Sequence, residues 1–233
     1  MILTETKKLS VLSDSELKEI QSALNKLGFD SGMVDGLFGP RTLDAWADFK
    51  ESISQDDPEF IEQIGPSSYN ALVKAASEQK GKVHDFKTKQ GTITAIRDEC
   101  DRQGLTLPSQ KAYVLATVEH ETARTFTPLD EYGGSKTRYA PYWGRGYVQL
   151  TWRSNYQKYG QILGVDLVGK PELAKDPNIA LFILVHGFKT GAFTGKKLTD
   201  YVNTSKRDFV GARRCINGTD KAQHIASLTG KYL

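Results

Sequence analysis

Four acidic residues in the middle of the chain form two pairs. The surroundings of one pair suit the donation of a proton, and those of the other suit its acceptance. Glu119 and Glu121 lie in an apolar stretch that begins at Tyr113, whereas Asp130 and Glu131 lie in a glycine-containing loop. A carboxyl group packed against apolar side chains has its charged form disfavoured and suits a general acid. A solvated loop carboxylate stays ionised and can activate water. An inverting glycosidase needs one carboxyl group of each kind, about 6.5–9.5 Å apart.

The apolar stretch predicts a helix that begins at Pro108 and contains Ala112 to Ala123. Glu121 shares a helical face with the residues three, four and seven positions before it, two of which are valines. The helix has no clear polar face, so periodicity alone does not choose between Glu121 and Glu119. His120 has no second histidine four residues later, so it is expected to be a packed residue rather than a zinc ligand.

A short segment after the acidic loop has the pattern of a strand that lines a cleft. Residues 144–146 read Gly-Arg-Gly and predict a turn, and residues 147–151 alternate in polarity. In that alternation Tyr147, Gln149 and Thr151 face one way, and the two aliphatic residues between them face the core. The exposed face could hold a polar ligand, or it could be a plain solvent-facing edge.

The N-terminal third of the chain predicts three short helices. Ser13 or Asp14 caps the first, which has aliphatic residues at helical spacing and ends at Gly28. Pro40 and Pro66 each suit the first turn of a further helix.

The chain is expected to divide into a module at residues 10–78, a Lys-rich linker at 79–90 and a larger helical domain at 91–233. In the larger domain, further helices are predicted after Asp176-Pro177, at Asp208 to Ile216 and at Lys221 to Tyr232.

Composition limits the classes of function. The net charge of +3 over 233 residues is too small to indicate nucleic-acid binding. Cys100 and Cys215 are expected to be buried free thiols, and the four dispersed histidines suggest no metal site or other cofactor. The N-terminal residues lack the pattern of a signal peptide, and no apolar run could span a membrane. These features predict a soluble monomer made in the cytoplasm.

Residues 34–42, Val-Asp-Gly-Leu-Phe-Gly-Pro-Arg-Thr, resemble the signature of the three-helix peptidoglycan-binding module of many wall hydrolases. Gly36 and Gly39 are expected to permit a tight loop with unusual backbone angles. The resemblance implies that the loop brings Asp35, Phe38 and Thr42 together as wall-binding residues. Turn chemistry leaves an alternative, in which Asp35 is a turn residue and Phe38 belongs to the core.

The second domain resembles glycoside hydrolase family 19, which comprises class I-type chitinases and a branch of endolysins. The resemblance rests on ordered motifs: His120-Glu121-Thr122, residues 144–151 and residues 213–218. It implies a mostly α chain with a lysozyme-like helical catalytic domain, in which Glu121 is the general acid, Glu131 is the base and Thr151 helps to hold the attacking water. The substrate-contacting positions implied in the same way are Gln149, Asn155, Tyr147, Arg145, Asn217 and Arg214.

Two departures from the family pattern leave alternatives open. Ala123-Arg124-Thr125 stands where the family often has Gly-Gly and is one residue longer, so Asp130 could replace Glu131 as the base. Cys215 interrupts the Arg-Arg-Ile element, so the alignment of Arg213 and Arg214 is uncertain by one residue.

These observations favour an endolysin-type hydrolase that cleaves β-1,4 bonds of peptidoglycan and waits in the host cytoplasm until it is released to the wall. The alternatives are a chitinase, a lytic transglycosylase, and a wall-binding protein with no catalytic activity. Peptidoglycan is the expected partner, with no cofactor.

Overall fold

The computed structural model describes residues 3–55, 57–78 and 84–233. Within these ranges the chain is mostly helical, as predicted, with eight α-helices and two short antiparallel strand pairs. The helices are α1 Asp14–Leu27, α2 Pro40–Ser52, α3 Pro66–Glu78, α4 Lys89–Arg102, α5 Pro108–Glu121, α6 Arg153–Leu163, α7 Pro177–Thr190 and α8 Ala222–Thr229. The strands are β1 Lys7–Lys8, β2 Gln63–Ile64, β3 Leu129–Asp130 and β4 Arg145–Gly146. Short 3₁₀ helices connect them.

The described residues form two compact units. One contains the residues up to Glu78 together with Gln157–Asp166, and the other contains His84–Tyr156 and Leu167–Leu233. The predicted linker falls partly on residues 79–83, which lie outside the described residues. Its last two residues already belong to α4.

The first unit has the three helices that the sequence predicts. Ser13 caps α1 in a capping box with Glu16, and Gly28 ends it with a left-handed φ of 92°. Pro40 and Pro66 begin α2 and α3. The apolar faces of the helices meet around Trp46, which is fully buried. Strands β1 and β2 pair antiparallel beside this core.

The second unit is built around α5, which is buried on nearly every side. Helix α5 packs against α4 and α8, and α4 packs against α7. The side chain of Asp176 caps α7 by accepting hydrogen bonds from the backbone N–H groups of Asn178 and Ile179. Cys100 and Cys215 are buried free thiols, as expected. Of the described helices, none has the length and apolar character that a membrane crossing requires.

Two C-terminal helices differ from the prediction. The segment predicted as a helix from Asp208 to Ile216 forms a shorter 3₁₀ helix at Gly211–Cys215. The carboxylate of Asp208 accepts a hydrogen bond from the backbone N–H of Gly211 at 2.7 Å, which holds the chain in a turn immediately before the 3₁₀ helix. The last helix spans Ala222–Thr229 rather than Lys221 to Tyr232. Lys221 is excluded because it has a left-handed φ of 57°.

Candidate active site

The turn after α5 fixes the position of Glu121. Thr122 is fully buried, and its Oγ1 donates to a carbonyl one turn back in the helix at 2.7 Å and accepts from the N–H of Phe126 at 3.0 Å. Ala123 and Arg124 have left-handed φ values of 48° and 71°, which a right-handed helix cannot continue. Glu121 is therefore the last residue of the helix, and the predicted extension to Ala123 is wrong.

The carboxyl group of Glu121 is paired with a buried arginine. Nη1 of Arg213 donates to Oε1 of Glu121 at 2.7 Å, and Nε of Arg213 donates to the carbonyl oxygen of Asp220 at 2.9 Å. Among the described residues none donates a hydrogen bond to Oε2 of Glu121. The apolar surroundings expected for this carboxyl group are thus wrong, because a guanidinium contacts it.

The 3₁₀ helix Gly211–Cys215 determines which of the two neighbouring arginines reaches the site. Arg213 is buried and Arg214 is exposed, so the one-residue ambiguity is resolved in favour of Arg213. Arg214 does not contact Glu121, and its implied role as a substrate contact stays a prediction. Asn217 lies on the surface beyond this turn, and its backbone N–H donates to the carbonyl oxygen of Arg213 at 3.0 Å.

Glu119, the other acidic residue of α5, has a different environment. It is 2% exposed, and both of its carboxylate oxygens accept hydrogen bonds at 2.6 Å, from Nζ of Lys231 and from the hydroxyl of Tyr232. Burial alone would raise the pKa of Glu119, but the bonds from Lys231 and Tyr232 and the charge of Lys231 together hold it below its ordinary value. Glu119 therefore ties the C-terminal residues to α5.

His120 lies between the two glutamates and packs edge-on against His224, with ring centroids 5.4 Å apart. Burial lowers the pKa of His120, and the charge of Glu121 opposes this shift. The residues described contain no cluster of three side chains suited to a metal ion.

Strands β3 and β4 position Glu131. The backbone N–H of Glu131 donates to the carbonyl oxygen of Gly144 at 2.7 Å, and the N–H of Gly144 donates back to Oε2 of Glu131 at 2.9 Å. The hydroxyl of Tyr139 donates to Oε1 at 2.7 Å. Each carboxylate oxygen thus has one donor and keeps capacity for another, such as a water molecule.

Asp130 is held by three cationic or polar side chains. Lys175 donates to Oδ2, Nε1 of Trp143 donates to Oδ1 at 3.0 Å, and Nε of Arg145 lies 3.0 Å from Oδ1. Partial burial would raise the pKa of Asp130, but the bonds from Lys175 and Trp143 and the charges of Lys175 and Arg145 lower it. Arg145 is itself buried, with its guanidinium 3.9 Å from the ring centre of Trp143. It therefore supports the hairpin and is not placed as an exposed substrate contact.

The segment from Tyr147 to Thr151 is a turn, not the alternating strand predicted. Gln149 has a left-handed φ of 55°, which breaks an extended conformation. Tyr147 is fully buried together with the aliphatic residues, so it does not face a cleft. A Cβ atom at Gly144 would lie 2.7 Å from Oε1 of Gln149 and 3.3 Å from Cβ of Glu131. The absence of a side chain at Gly144 thus lets Gln149 and Glu131 approach each other.

Thr151 and Asn155 lie next to each other at the start of α6. The side-chain amide of Asn155 donates to the carbonyl oxygen of Thr151 at 2.8 Å, and both side chains are half-buried.

The contacts described so far join Asp130, Glu131 and Gln149 into one group around the hairpin, and Glu121 and Arg213 into another at the end of α5.

In the first unit, one glutamine organises the loop between α1 and α2. Nε2 of the buried Gln21 lies 3.0 Å from Oδ1 of Asp35 and 3.2 Å from Oγ1 of Thr42, and its Oε1 accepts from the N–H of Gly36 at 2.9 Å. The expected proximity of Asp35 and Thr42 is confirmed. Thr42 is buried, however, and is placed as part of this hydrogen-bond network rather than as an exposed contact.

The other loop residues divide between the two expectations. Phe38 is half-buried and packs against the core of the unit, as the alternative interpretation holds. Gly36 has a φ of 79°, and a Cβ atom there would lie 2.5 Å from the carbonyl oxygen of Asp14, so glycine is required. Gly39 has an extended φ of −158°, so its expected unusual conformation is wrong.

Sequence reasoning missed four residues of these sites: Thr122, Tyr139, Arg213 as the partner of Glu121, and Gln21. The one available signal for Gln21 was its position on the apolar face of α1, four residues after Leu17 and three before Leu24. Tyr139 had none, because its contact depends on how the loop folds back.

Comparison with known proteins adds family information to this geometry. The family model of glycoside hydrolase family 19, described as chitinase class I, matches residues 65–194, and a peptidoglycan binding domain model matches residues 13–52. Endochitinase At2g43610 of Arabidopsis thaliana is 30% identical over 131 residues, which are 50% of this chain and 45% of that protein. Basic endochitinase CHB4 of Brassica napus is 32% identical over 151 residues, 58% of this chain and 52% of that protein. The chain thus spans about half the length of these relatives or less.

Among solved structures, chitinase C from Streptomyces griseus HUT6037 is similar with a TM-score of 0.46 and 21% identity, over 66% of this chain and 74% of that one. A bacterial family 19 chitinase has a TM-score of 0.41 and 20% identity, over 66% of this chain and 92% of that one.

Proposed function

This chain belongs to glycoside hydrolase family 19, the chitinase class I family, and from that membership we propose that it hydrolyses β-1,4 bonds between the amino sugars of bacterial peptidoglycan. The observation that carries the choice of polymer is the presence of a matching peptidoglycan binding domain in the same chain. Two carboxyl groups, each held by a different set of donors, support the choice of chemistry.

Glu121 is proposed as the general acid. The bond from Arg213 to Oε1 fixes the orientation of the carboxyl group and leaves Oε2 for the proton that passes to the leaving oxygen. Arg213 is a positioning residue in this scheme, because it acts through Glu121. Since Arg213 is buried and also bonded to a backbone carbonyl, it restricts the rotamers that Glu121 can adopt.

Glu131 is proposed as the base, with Thr151 holding the attacking water. The donors Tyr139 and Gly144 orient the carboxylate of Glu131, while its remaining acceptor capacity is available to water. Asp130 fits the role less well, because Lys175, Trp143 and Arg145 already surround its carboxylate. Attack of water on the sugar face opposite the leaving group would invert the configuration at the anomeric carbon.

Chitin is the second candidate substrate. The curated relatives are named endochitinases, and chitin shares the β-1,4-linked N-acetylglucosamine unit with peptidoglycan. A direct comparison of rates on purified peptidoglycan and on chitin oligosaccharides decides between them. Faster hydrolysis of chitin would assign the chain to that polymer.

The wider biological role is part of the same proposal. A wall-binding module joined to a glycan hydrolase suits an endolysin that waits in the host cytoplasm and acts as a monomer after release to the wall. Expression with and without a pore-forming membrane protein tests this role, because lysis should require the pore. Gel filtration tests the oligomeric state, and an elution volume expected of a dimer would reject the monomer.

The central experiment is the digestion of purified peptidoglycan, with products identified by mass spectrometry and their initial anomeric configuration by NMR. We expect reducing-end products of inverted configuration. A 1,6-anhydro product would indicate a lytic transglycosylase instead, and retention of configuration would refute the water-activating role of Glu131. If neither peptidoglycan nor chitin were cleaved, the chain would be a wall-binding protein without activity.

A further inference from the structure

A chain of side-chain contacts leads from the proposed base to an exposed arginine. Tyr139, which donates to Glu131, packs against the ring of Trp152 with centroids 5.0 Å apart. The guanidinium carbon of Arg138 lies 5.1 Å from the centre of the Trp152 ring, within the range of a cation–π contact. The surface patch formed by Arg138, Tyr139 and Trp152 is therefore adjacent to Glu131.

Trp152 combines an exposed side chain with an unusual backbone conformation. It is 43% exposed, and its φ of 71° lies in the left-handed region, which costs a non-glycine residue about 1–2 kcal/mol. It also directly follows Thr151. The rest of the fold must offset this strain, and residues with strained backbones cluster at active sites and ligand-binding sites. An exposed indole in such a conformation next to Glu131 therefore points to a role in binding. The face of an indole is suited to pack against the C–H groups of a sugar ring.

Arg138 supplies a charge beside that apolar face. Its side chain is exposed, and in the described part of the chain no carboxylate forms an ion pair with it. The planar fork of N–H donors on a guanidinium matches the two oxygens of a carboxylate, and the contact with the Trp152 ring places this fork beside the indole. Chitin has no carboxylate, whereas the glycan strands of peptidoglycan carry them on every second sugar.

We propose that Arg138 binds a carboxylate carried by the muramic acid residue while Trp152 packs against the glycan, so that the patch selects acid-bearing strands over neutral ones. This inference rests on the proposed function and names the chemistry by which the same site would distinguish peptidoglycan from chitin. The carboxylate belongs to the stem peptide in intact strands and to the lactyl group in strands from which the peptide has been removed.

The test compares four soluble glycan preparations: strands with stem peptides, strands without them, and each of these with its carboxylates converted to neutral methylamides. Wild type, Arg138→Gln and Arg138→Lys are assayed for kcat/KM on all four. Lys136→Gln is the matched control, because it removes one positive charge from an exposed residue two positions away. Thermal unfolding of each variant shows whether the fold is retained.

Wild type and Lys136→Gln should cleave carboxylate-bearing strands about fivefold faster than the neutral forms, as expected of one solvent-screened ion pair. Arg138→Gln should cleave both forms at equal rates, and Arg138→Lys should restore part of the preference. A preference confined to peptide-bearing strands identifies the stem-peptide carboxylate, and one confined to peptide-free strands identifies the lactyl group.

An Arg138→Gln variant that keeps the wild-type preference would overturn the inference, as would a wild type with no preference. In both cases wild-type cleavage of peptidoglycan would leave the proposed function intact. If wild type cleaved none of the four preparations, the proposed function would fail and this inference with it.

Discussion

Helix α5 presents two glutamates whose substitution should have different consequences for activity. Glu119 and Glu121 are two positions apart, which at 3.6 residues per turn places them on nearly opposite sides of the helix. Glu119 contacts the C-terminal residues Lys231 and Tyr232, whereas Glu121 contacts Arg213. We therefore expect Glu119→Gln to lower stability and retain activity. Glu121→Gln should lose activity and also lower stability, because it leaves the buried guanidinium of Arg213 without its anionic partner.

The size of the stability loss follows from the contacts of Glu119. A buried hydrogen bond to a charged group contributes about 1.5–3 kcal/mol, which applies to the bond from Tyr232. Lys231 is half exposed, so its ion pair contributes only about 0.2–1 kcal/mol after solvent screening. Glutamine keeps one acceptor oxygen and, being neutral, costs less free energy to bury than a carboxylate. The substitution therefore destabilises the chain by less than the two contributions added together. A net loss near 2 kcal/mol corresponds to a decrease in Tm of roughly 6 °C for a chain of this size.

The stability difference should also depend on pH. The pKa of Glu119 in the folded chain lies below its ordinary value of 4.5, so between these two values the unfolded chain binds more protons. The contribution of Glu119 is therefore complete above pH 4.5 and is lost as the pH falls through the folded pKa. Wild type and Glu119→Gln should differ most near neutral pH, and the difference should shrink below pH 4.5.

Thermal unfolding between pH 3 and 7, together with turbidity loss of a peptidoglycan suspension, measures both effects. Glu172→Gln serves as the control, because Glu172 is exposed and the same substitution there should alter neither quantity. Loss of one general acid should lower the hydrolytic rate about 10²–10⁴-fold. The reasoning would be refuted if Glu119→Gln lost activity at unchanged Tm, or if Glu121→Gln remained active.

Three further predictions concern other positions. Gln21→Met should lower the free energy of unfolding by about 2 kcal/mol, because it leaves the buried N–H of Gly36 without its acceptor. Chemical unfolding of the full chain measures this loss, and the control variant Gln55→Met should have little effect. Glu131→Gln should reduce hydrolysis about 10²–10⁴-fold and Asp130→Asn by no more than about tenfold, so equal losses in the rate assay would contradict the choice of base. Ala123→Gly should raise stability by about 0.5–1 kcal/mol, since glycine adopts a φ of 48° without strain, and an unchanged or lower Tm would contradict the strain argument.

The sequence was sufficient to predict helices whose ends have local causes. The capping box of α1, the prolines that begin α2 and α3, and the side-chain cap of α7 all act within a few residues, and the structure confirms each. The bounds and type of the helix predicted at Asp208 to Ile216 were wrong, because Asp208 holds the chain in a turn before the 3₁₀ helix and such a turn has no periodic signature.

The site was less predictable, because its contacts join residues far apart in sequence. Arg213 and Glu121 are 92 positions apart, and whether Arg213 or Arg214 faces Glu121 depends on the local helix type. The predicted strand after Gly146 failed for a related reason. Alternating polarity looked like an extended chain, but Tyr147 is buried with its aliphatic neighbours, and Gln149 turns the backbone back toward Gly144.

The departure from the family pattern after Glu121 has a physical explanation in the turn. Ala123 and Arg124 stand at the place where the family often has two glycines, and both have positive φ, the region that glycine enters without strain. The backbone path that glycines favour is thus kept here by non-glycine residues. The two hydrogen bonds of the buried Thr122 help to hold it against that strain. Because glycine can adopt the same φ of 48°, Ala123→Gly should stabilise the chain without moving Glu121, and hydrolysis should be retained.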